Sequence, residues 1–370
     1  MVLTETAYWV AFNRISTIGR ARYERLERAF GSLAAAWEAS SGELRAAGLD
    51  ERSVTAVEAQ RPRISPEAEL AALQRLGVEA LTWHDDRYPR LLKESFDRPP
   101  VVYIRGSLLP EDDLALAVVG TRRMSRYGQQ VTEQLVPELV GAGITIISGL
   151  ARGVDATAHA AAVRAGGRTL AVMANGVDIV YPAAHERLAR QIVEHGALVS
   201  ELPLGTRPIK DAFPRRNRII AGLSLGVVIT EAPERSGALL TGKLAADDNR
   251  DVFAVPGSIY SPMSAGANAL IQEGARLVRT ADDILSELNL SAVVQQAELA
   301  AAVPEGAAES ALLGLLGVEP THIDEVTRAS RLSAAEVSSG LALLELKGYV
   351  RQVGGMQYVR LRELGQAYSA

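Results

Sequence analysis

Residues 213–224, FPRRNRIIAGLS, place an aromatic ring, three arginines and an asparagine close together. Proteins that bind single-stranded nucleic acid use this combination, because guanidinium groups meet the phosphates and an unpaired base stacks on the ring. The chain as a whole is acidic, with a formal net charge of −5, so these arginines are not part of a general basic coat. The segment therefore predicts a binding surface for an anionic ligand.

Helical geometry limits how many of these cations can face one ligand. Successive helical residues lie about 100 degrees apart, so Arg215 and Arg216 point in different directions, and Arg218 lies near the face of Arg215. We expect Arg215 and Arg218 to be structural or peripheral. The predicted binding residues here are Lys210, Phe213, Arg216 and Asn217. The alternative is that Phe213 fills the core beneath the helix and that Asn217 caps it.

Two more loops with arginines follow apolar runs. The run LALAVVG leads into a helix that begins near Ser125, where free backbone N–H groups and the helix dipole favour a phosphate. An arginine in this loop can bind two phosphate oxygens at once. The predicted residues of the two loops are Gly120, Thr121, Arg122, Arg123 and Ser125 in the first, and Ser148, Gly149 and Arg152 in the second. Adjacent loops of this kind could hold successive phosphates.

The elements that must position these loops lie between about residues 112 and 288. Continuous Val, Ile and Ala runs alternate there with amphipathic helices, which is the pattern of a parallel sheet covered on both faces. We therefore predict an α/β fold with an extended Rossmann-like, doubly wound parallel sheet, over residues 86–290. Ligands bind such sheets outside the carboxyl ends of the strands, so function is expected at the loops that open with Gly120, Gly149, Ala174 and Glu231.

Smaller modules are predicted on both sides. Residues 1–85 indicate a small all-α domain, SAM-like or helix-hairpin-helix, whose turn at Ile18, Gly19 and Arg20 suits either phosphate contact or protein interaction. A proline-rich connector, WHDDRYPRLL through DRPPVVYIRG, follows these helices. Residues 291–308 are predicted to be a linker rich in alanine and small polar residues.

Residues 309–370 predict a winged-helix domain, because three short helices precede two strands around a turn at Gly354 and Gly355. The predicted recognition helix, residues 333–347, offers one lysine against two glutamates. Affinity for phosphates requires cations in the contact surface. DNA binding is therefore the less favoured role for this domain.

Composition excludes several classes of protein. The 370 residues include no cysteine and five scattered histidines, so we expect no disulfide, metal or cofactor. No apolar run approaches the roughly 20 residues of a membrane helix. The N-terminus also lacks the pattern of a signal peptide. We expect a cytoplasmic protein without membrane contact.

Motifs of catalysis are incomplete. The segment GALLTGKL has the glycines and lysine of a Walker A loop, but Leu244 stands where a magnesium ligand belongs, and the segment has the pattern of a helix. A dinucleotide fingerprint is missing. Asp155 and His159 could form an acid and base pair, although a hydrogen bond at a helix start explains them more simply. Asp178 is the remaining catalytic candidate, and it suits an ordinary turn equally.

Several segments in a fixed order resemble the DprA or Smf family of DNA-processing proteins. They are AVVGTRRMSRYG, SGLARGVDATAH, LAVMANGVDIVYPAAH, SELPLGTRP, FPRRNRIIAGLS, ITEAPERSGALLTGKLA and DVFAVPGS, with YPRLLKESFDRPPVVYIRG before them and SAGANALIQEGA after them. The resemblance implies a single-stranded DNA-binding protein, not an enzyme, that protects incoming DNA and loads RecA onto it during natural transformation. The alternative is a Rossmann-like enzyme that cleaves nucleotide ribosides, but its PGGxGTxxE type of loop is absent.

The resemblance also implies where the site and the surfaces lie. The Rossmann-like domain would carry the DNA pocket, the RecA surface and a homodimer surface, for which residues 264–275 are the candidate. By motif position the pocket residues would be Gly120, Arg122, Lys210, Phe213, Arg216 and Asn217. Ala174, Asn175 and the pair Gly242 and Lys243 depart from the family pattern, which could alter a small-ligand pocket.

Overall fold

The computed structural model describes residues 4–290, 307–317, 319–330, 332–346 and 349–360. Residues 1–288 form one compact unit and residues 289–370 a second. The first unit contains a large sheet and the second a small one. The predicted linker at 291–308 lies outside the described residues, except for residues 307 and 308.

The first unit begins with short helices, as predicted. They are α1 Glu5–Asn13, α2 Arg20–Phe30, α3 Leu33–Glu38, α4 Ser41–Ala46, α5 Glu51–Gln60 and α6 Pro66–Arg75. A capping box between Ser40 and Glu43 fixes the start of α4. Aromatic rings fill the space between the helices, with the centroids of Trp9 and Tyr23 5.1 Å apart. These contacts pack the helices into a core that continues into the sheet.

The stretch predicted to be a connector contributes to the sheet instead. It contains α7 Arg90–Glu94 and β2 Val101–Gly106, and β1 Val78–Thr82 lies just before it, in the region predicted to be helical. β1 pairs with β2, and β2 pairs with β6 Gly196–Ser200, both in antiparallel register. The predicted boundary at residue 85 therefore does not separate the helices from the sheet. Because of the prolines before it, β2 was not predicted to be a strand, although its first four residues are all buried.

The remaining strands form the parallel sheet that the apolar runs predicted. They are β3 Ala115–Val119, β4 Thr145–Ser148, β5 Thr169–Val172, β6, β7 Gly226–Ile229, β8 Asp251–Ala254 and β9 Arg276–Leu277. The strand order is β1-β2-β6-β5-β4-β3-β7-β8-β9. The chain moves outward from β3 in one direction and resumes from β7 in the other. A doubly wound sheet binds ligands at such a switch point, beyond the carboxyl ends of β3 and β7.

Helices cover this sheet on both faces. They are α8 Arg126–Gly141, α9 Val154–Arg164, α10 Glu186–His195, α11 Ala212–Gly222, α12 Gly237–Asp247, α13 Ala265–Gln272 and α14 Ala281–Glu287. Short 3₁₀ turns occupy Arg61–Arg63, Pro110–Asp113 and Ala183–His185. Every residue of β3 to β7 is buried, as a sheet covered on both faces requires.

The second unit has the predicted winged-helix architecture. Its elements are α15 Ala307–Leu315, β10 Thr321–His322, α16 Ile323–Ser330, α17 Ala334–Leu346, β11 Val350–Gly354 and β12 Gln357–Arg360. The wing turns at Gly354 and Gly355, which adopt φ values of 104° and 57°. α17 carries Glu336 and Glu345 and no lysine or arginine. Whether this domain contacts DNA stays a prediction.

Candidate functional site

A cavity of about 720 Å³ lies beyond the carboxyl ends of β3 and β7. It is lined by the loops that follow β3, β4, β5 and β7, by the turn that leads into α11, and by residues of α9, α11 and α12. Of the predicted residues, it brings together Gly120, Thr121, Arg122, Arg123, Lys210, Phe213, Arg216 and Asn217. Ser125, Ser148, Gly149 and Arg152 do not line it. The loops that follow these strands meet because parallel strands end at one edge of the sheet.

Aromatic and guanidinium groups are layered at the mouth of this cavity. The Arg122 guanidinium carbon lies 5.1 Å from the centroid of the Phe213 ring, and that ring lies 5.9 Å from the ring of Tyr181 at an angle of 56°. Phe213 is half-buried, so the alternative that it fills the core is wrong. Tyr181 is 47% exposed, lies in the loop after β5, and was missed from sequence. The two rings form one wall.

Four cations around the cavity lack a carboxylate partner. Arg122, Arg123, Lys210 and Arg235 are exposed, and none forms an ion pair within the described part of the chain. Arg218 differs, since it pairs with Glu201 and lies 3.0 Å from Asp97. A cavity lined by cations without carboxylate partners has a positive potential, which attracts an anion. Arg235 was missed from sequence: it lies two residues before GALLTGKL, the segment that was compared with a Walker A loop.

The predictions for the outer arginines of α11 agree with their surroundings. Arg218 is held by its two carboxylates, and Arg215 is exposed and outside the cavity lining. Helical spacing separates both from Arg216, which faces inward. The direction in which each side chain leaves α11 thus decides its neighbours.

Arg216 lies on the floor of the cavity and is only 5% exposed. Its Nη1 donates to the backbone carbonyls of Gly149, at 2.7 Å, and Val172, so it ties together the ends of β4 and β5. Burial lowers the pKa of Arg216 to about 10, and the Asp155 carboxylate opposes that shift. The guanidinium therefore stays charged at neutral pH while its main partners are protein carbonyls.

Gly149 was predicted to let the backbone approach a phosphate, and it has a different role. A Cβ at this position would lie 2.5 Å from the Cζ carbon of Arg216. The glycine thus makes room for a guanidinium rather than for a ligand. The Ser148 hydroxyl is fully buried and donates to the Val118 carbonyl at 2.7 Å, and Arg152 is exposed away from the lining. The prediction that this loop forms a second phosphate grip is not supported.

Asn217 does not cap a helix, because α11 begins five residues earlier at Ala212. Its amide nitrogen donates to the Gly237 carbonyl at 3.2 Å, and its amide oxygen accepts from Arg216 Nε at 3.2 Å. Asn217 therefore fixes the start of α12 against α11 and orients Arg216.

The amino end of α8 was predicted to bind a phosphate, and the protein's own Glu231 occupies it. Glu231 is 1% exposed, and its carboxylate accepts from the Ser125 backbone N–H at 2.8 Å and from the Ser125 hydroxyl at 2.6 Å. The Glu231 carbonyl also accepts from the Thr121 N–H at 2.8 Å. Ser125 is thus a helix cap bonded to a carboxylate. Glu231 holds both ends of the loop that carries Arg122 and Arg123.

Asp155 and His159 form neither an acid and base pair nor the hydrogen bond to each other that was favoured for them. His159 Nδ1 lies 2.7 Å from the Thr169 hydroxyl, which itself donates to the Ile146 carbonyl at 2.7 Å. The hydroxyl proton is thereby used, so Nδ1 carries the imidazole proton. Asp155 accepts from the Ala151 N–H at 3.3 Å, and burial raises its pKa.

Other catalytic candidates also have structural partners. The Asp178 carboxylate accepts from the Gly205 N–H, with Oδ2 at 2.9 Å. The GALLTGKL segment is the first part of the helix α12, as expected.

No group of His, Asp or Glu side chains suited to a metal ion occurs among the described residues. In the same part of the chain, no helix has the length and apolar character needed to cross a membrane.

Stability is expected to depend on pH through His159. Burial lowers its pKa from 6.5 to about 3, and the positive charge of Arg216 acts in the same direction. Above pH 6.5 neither state binds the proton, whereas between pH 6.5 and 3 only the unfolded chain does. Because of this residue, the free energy of unfolding should fall by about 1.4 kcal/mol for each unit by which the pH is lowered within this range.

The measurement is urea unfolding of the protein and of His159→Asn at about pH 7, 6 and 5. Asparagine keeps an amide N–H for Thr169 and does not titrate. On acidification the His159→Asn variant should therefore lose less stability than the unchanged protein, by about 1.4 kcal/mol per pH unit. Parallel curves for the two proteins would contradict the assignment.

Two parts of the chain match described families. Residues 79–289 match the family described as DNA recombination-mediator protein A. Residues 295–356 match the DprA winged helix domain. The Protein Smf of Escherichia coli (strain K12) is 36% identical over 97% of each chain.

Two solved structures are also similar. One is DNA processing protein A from Streptococcus pneumoniae, with a TM-score of 0.65 and 34% identity over 78% of this chain and 99% of that one. The other is DNA processing protein A from Helicobacter pylori, with a TM-score of 0.52 and 29% identity over 57% of this chain and 95% of that one. The latter structure was described for its single-stranded DNA binding mode.

Proposed function

This chain belongs to the family of DNA recombination-mediator protein A, and from that membership we propose that it binds and protects single-stranded DNA and loads RecA onto it during natural transformation. The observation that carries the proposal is the cavity in which unpaired cations surround two aromatic rings. Cations neutralise phosphates, and rings accept unpaired bases of any identity. Delivery to RecA is inferred from the family resemblance.

The rings that line the cavity favour a single strand over a duplex. A base can reach Tyr181 and Phe213 only if it is unpaired and turned out of a stack. Arg122 already covers part of Phe213, so a base would lie against Tyr181 or displace the guanidinium. Little dependence on base identity is expected, because every base offers a flat face.

The experiment is a titration of labelled oligothymidylate and of a duplex of equal length at two salt concentrations. Tighter binding of the single strand, weakened by salt, is expected. Equal affinity for both forms, or no binding, would refute the proposal. A chain that binds no DNA at all would instead favour a protein scaffold.

We expect Tyr181→Ala to weaken binding of the single strand about tenfold, because stacking on an aromatic side chain contributes roughly 1 to 3 kcal/mol per base. Tyr181→Phe is the matched control, since the Tyr181 hydroxyl makes no hydrogen bond with the described residues. In fluorescence anisotropy, Tyr181→Phe should bind the single strand with the same affinity as the unchanged protein. Equal affinities of the alanine and phenylalanine variants would show that the ring does not contact a base.

A mediator without catalytic activity fits the site best. Asp155, His159 and Asp178 are engaged with structural partners, which leaves no acid and base pair at the cavity among the described residues. The alternative is cleavage of nucleotide ribosides. Incubation with nucleoside monophosphates distinguishes the two, because release of free base would show an enzyme.

A homodimer through the Rossmann-like domain is also part of the proposal, with residues 264–275 as the candidate surface. Ala267 and Leu270 of α13 are used in the protomer's own core, so the partly exposed side of that helix would have to form the contact. Two cavities in one assembly would raise the affinity for a long strand through effective concentration. Light scattering that gives the mass of one chain at all concentrations would refute the dimer.

A further inference from the structure

The first turn of α12 forms one wall of the cavity. Arg235, Ser236, Gly237, Ala238 and Thr241 all line it. Asn217 fixes this turn by donating to the Gly237 carbonyl. This hydrogen bond holds the start of α12 against α11.

The backbone N–H of Gly237 on this wall is available to a ligand. The Ala238 N–H is satisfied by the Ser236 hydroxyl at 3.3 Å, and the Leu239 N–H by the Ser236 carbonyl at 3.2 Å. The Gly237 N–H makes no hydrogen bond with the described residues, and the space where a Gly237 side chain would stand has no atom within 4 Å. A ligand atom can approach this N–H without obstruction.

A second, independent donor lies one turn further along the same face. Thr241 is 2% exposed, lines the cavity, and its hydroxyl has no hydrogen-bond partner among the described residues. That hydroxyl is not sealed inside the protein, so the surface it keeps faces the cavity. A nearly buried hydroxyl without a hydrogen-bond partner destabilises the protein, and a ligand that supplies an acceptor would remove this cost.

Charge at this helix start is also unusual for a helix that acts alone. The helix dipole disfavours a cation near the amino end, yet Arg235 stands just before it. At the amino end of α8, by contrast, the Glu231 carboxylate satisfies the dipole. An anion bound between Arg235 and the amino end of α12 would offset this unfavourable interaction.

We infer that the amino end of α12 holds a phosphodiester group of the single strand. The Gly237 N–H and the Thr241 hydroxyl donate to its oxygens, and Arg235 neutralises its charge. The inference rests on the proposed function and refines it, because it assigns the phosphate to α12 and not to α8.

The test uses proline to remove one N–H. Gly237 is the first residue of α12, where proline is well tolerated in helices, and Ser236 before it has φ −96° and ψ 138°, a conformation compatible with a following proline. Gly237→Ala is the matched control, since it fits the same open space and keeps the N–H. Oligothymidylate binding by the full chain should be about tenfold weaker for Gly237→Pro than for Gly237→Ala.

The salt dependence separates this effect from loss of a cation. An amide N–H releases no counterion, so the slope of log affinity against log salt should be unchanged in Gly237→Pro. Thr241→Val, which keeps the shape and removes the hydroxyl, should bind about threefold more weakly than the unchanged protein.

The outcomes of this test are distinct. Equal binding by Gly237→Pro and Gly237→Ala, together with unchanged binding by Thr241→Val, would overturn the α12 site while leaving the proposed function intact. No binding by the unchanged protein would overturn the proposed function itself. If Gly237→Pro does not fold, as judged by circular dichroism, Thr241→Val alone decides.

Discussion

Replacing Arg122 and Lys210 together by alanine is expected to weaken binding of single-stranded DNA by about a hundredfold at moderate salt, because each change removes one charged phosphate partner worth about tenfold. Both side chains are exposed at the cavity and have no ion pair within the described residues, so neither holds the fold together. The unfolding midpoint should therefore stay unchanged.

Salt dependence provides the sharper readout of this prediction. Each lost phosphate contact should lower the slope of log affinity against log salt by about 0.7 for a single strand. Arg215→Ala is the control, since Arg215 lies on the same helix as Phe213, is exposed, and is outside the cavity lining. It should weaken binding less than about threefold. Unchanged affinity of both single variants, Arg122→Ala and Lys210→Ala, across the salt series would contradict the proposed phosphate contacts.

Replacing Gly128 by alanine is expected to destabilise the first unit by about 2 to 4 kcal/mol, through overlap with Glu231. The new Cβ would lie 2.9 Å from the Cδ carbon of Glu231. That carboxylate cannot move aside without losing its two hydrogen bonds to Ser125. Because Glu231 also anchors the loop with Arg122, affinity for the single strand should fall with stability.

A double-mutant cycle tests this mechanism. Glu231→Ala alone should cost about 1 to 3 kcal/mol, since the Ser125 donors lose their acceptor. Without the Glu231 carboxylate, the methyl group introduced by Gly128→Ala loses its two closest contacts, and the Cβ at position 231 remains near it, at 3.2 Å. The combined variant should therefore be at least about 1 kcal/mol more stable than the sum of the single effects predicts.

The matched control for this cycle is Gly141→Ala at the other end of α8. A Cβ there meets no atom within 4 Å, so this substitution should be neutral or slightly stabilising in urea unfolding. Additive effects of Gly128→Ala and Glu231→Ala would mean that the carboxylate does not cause the cost.

The sequence was least informative where strands are short or flanked by prolines. β1 and β2 were assigned to the helical region and to a connector, yet both extend the sheet. β2 carries the apolar run VVYI, but its pairing partner β6 lies about a hundred residues later. Local patterns do not reveal partners at that separation, because strand pairing is decided by packing of the whole sheet.

The sequence by itself determined the alternation of strands and helices, the winged helix, and the two segments that meet at the cavity, GTRR and FPRRN. These follow from local periodicity and from the rule that parallel strands end at one edge. Only the tertiary structure decided what each polar group does there. Arg216 binds the carbonyls of Gly149 and Val172, and Glu231 takes the helix start that was predicted for phosphate. Such partners lie far apart in the chain, and a buried charge or N–H is satisfied by whatever the fold brings near it, which no local spacing encodes.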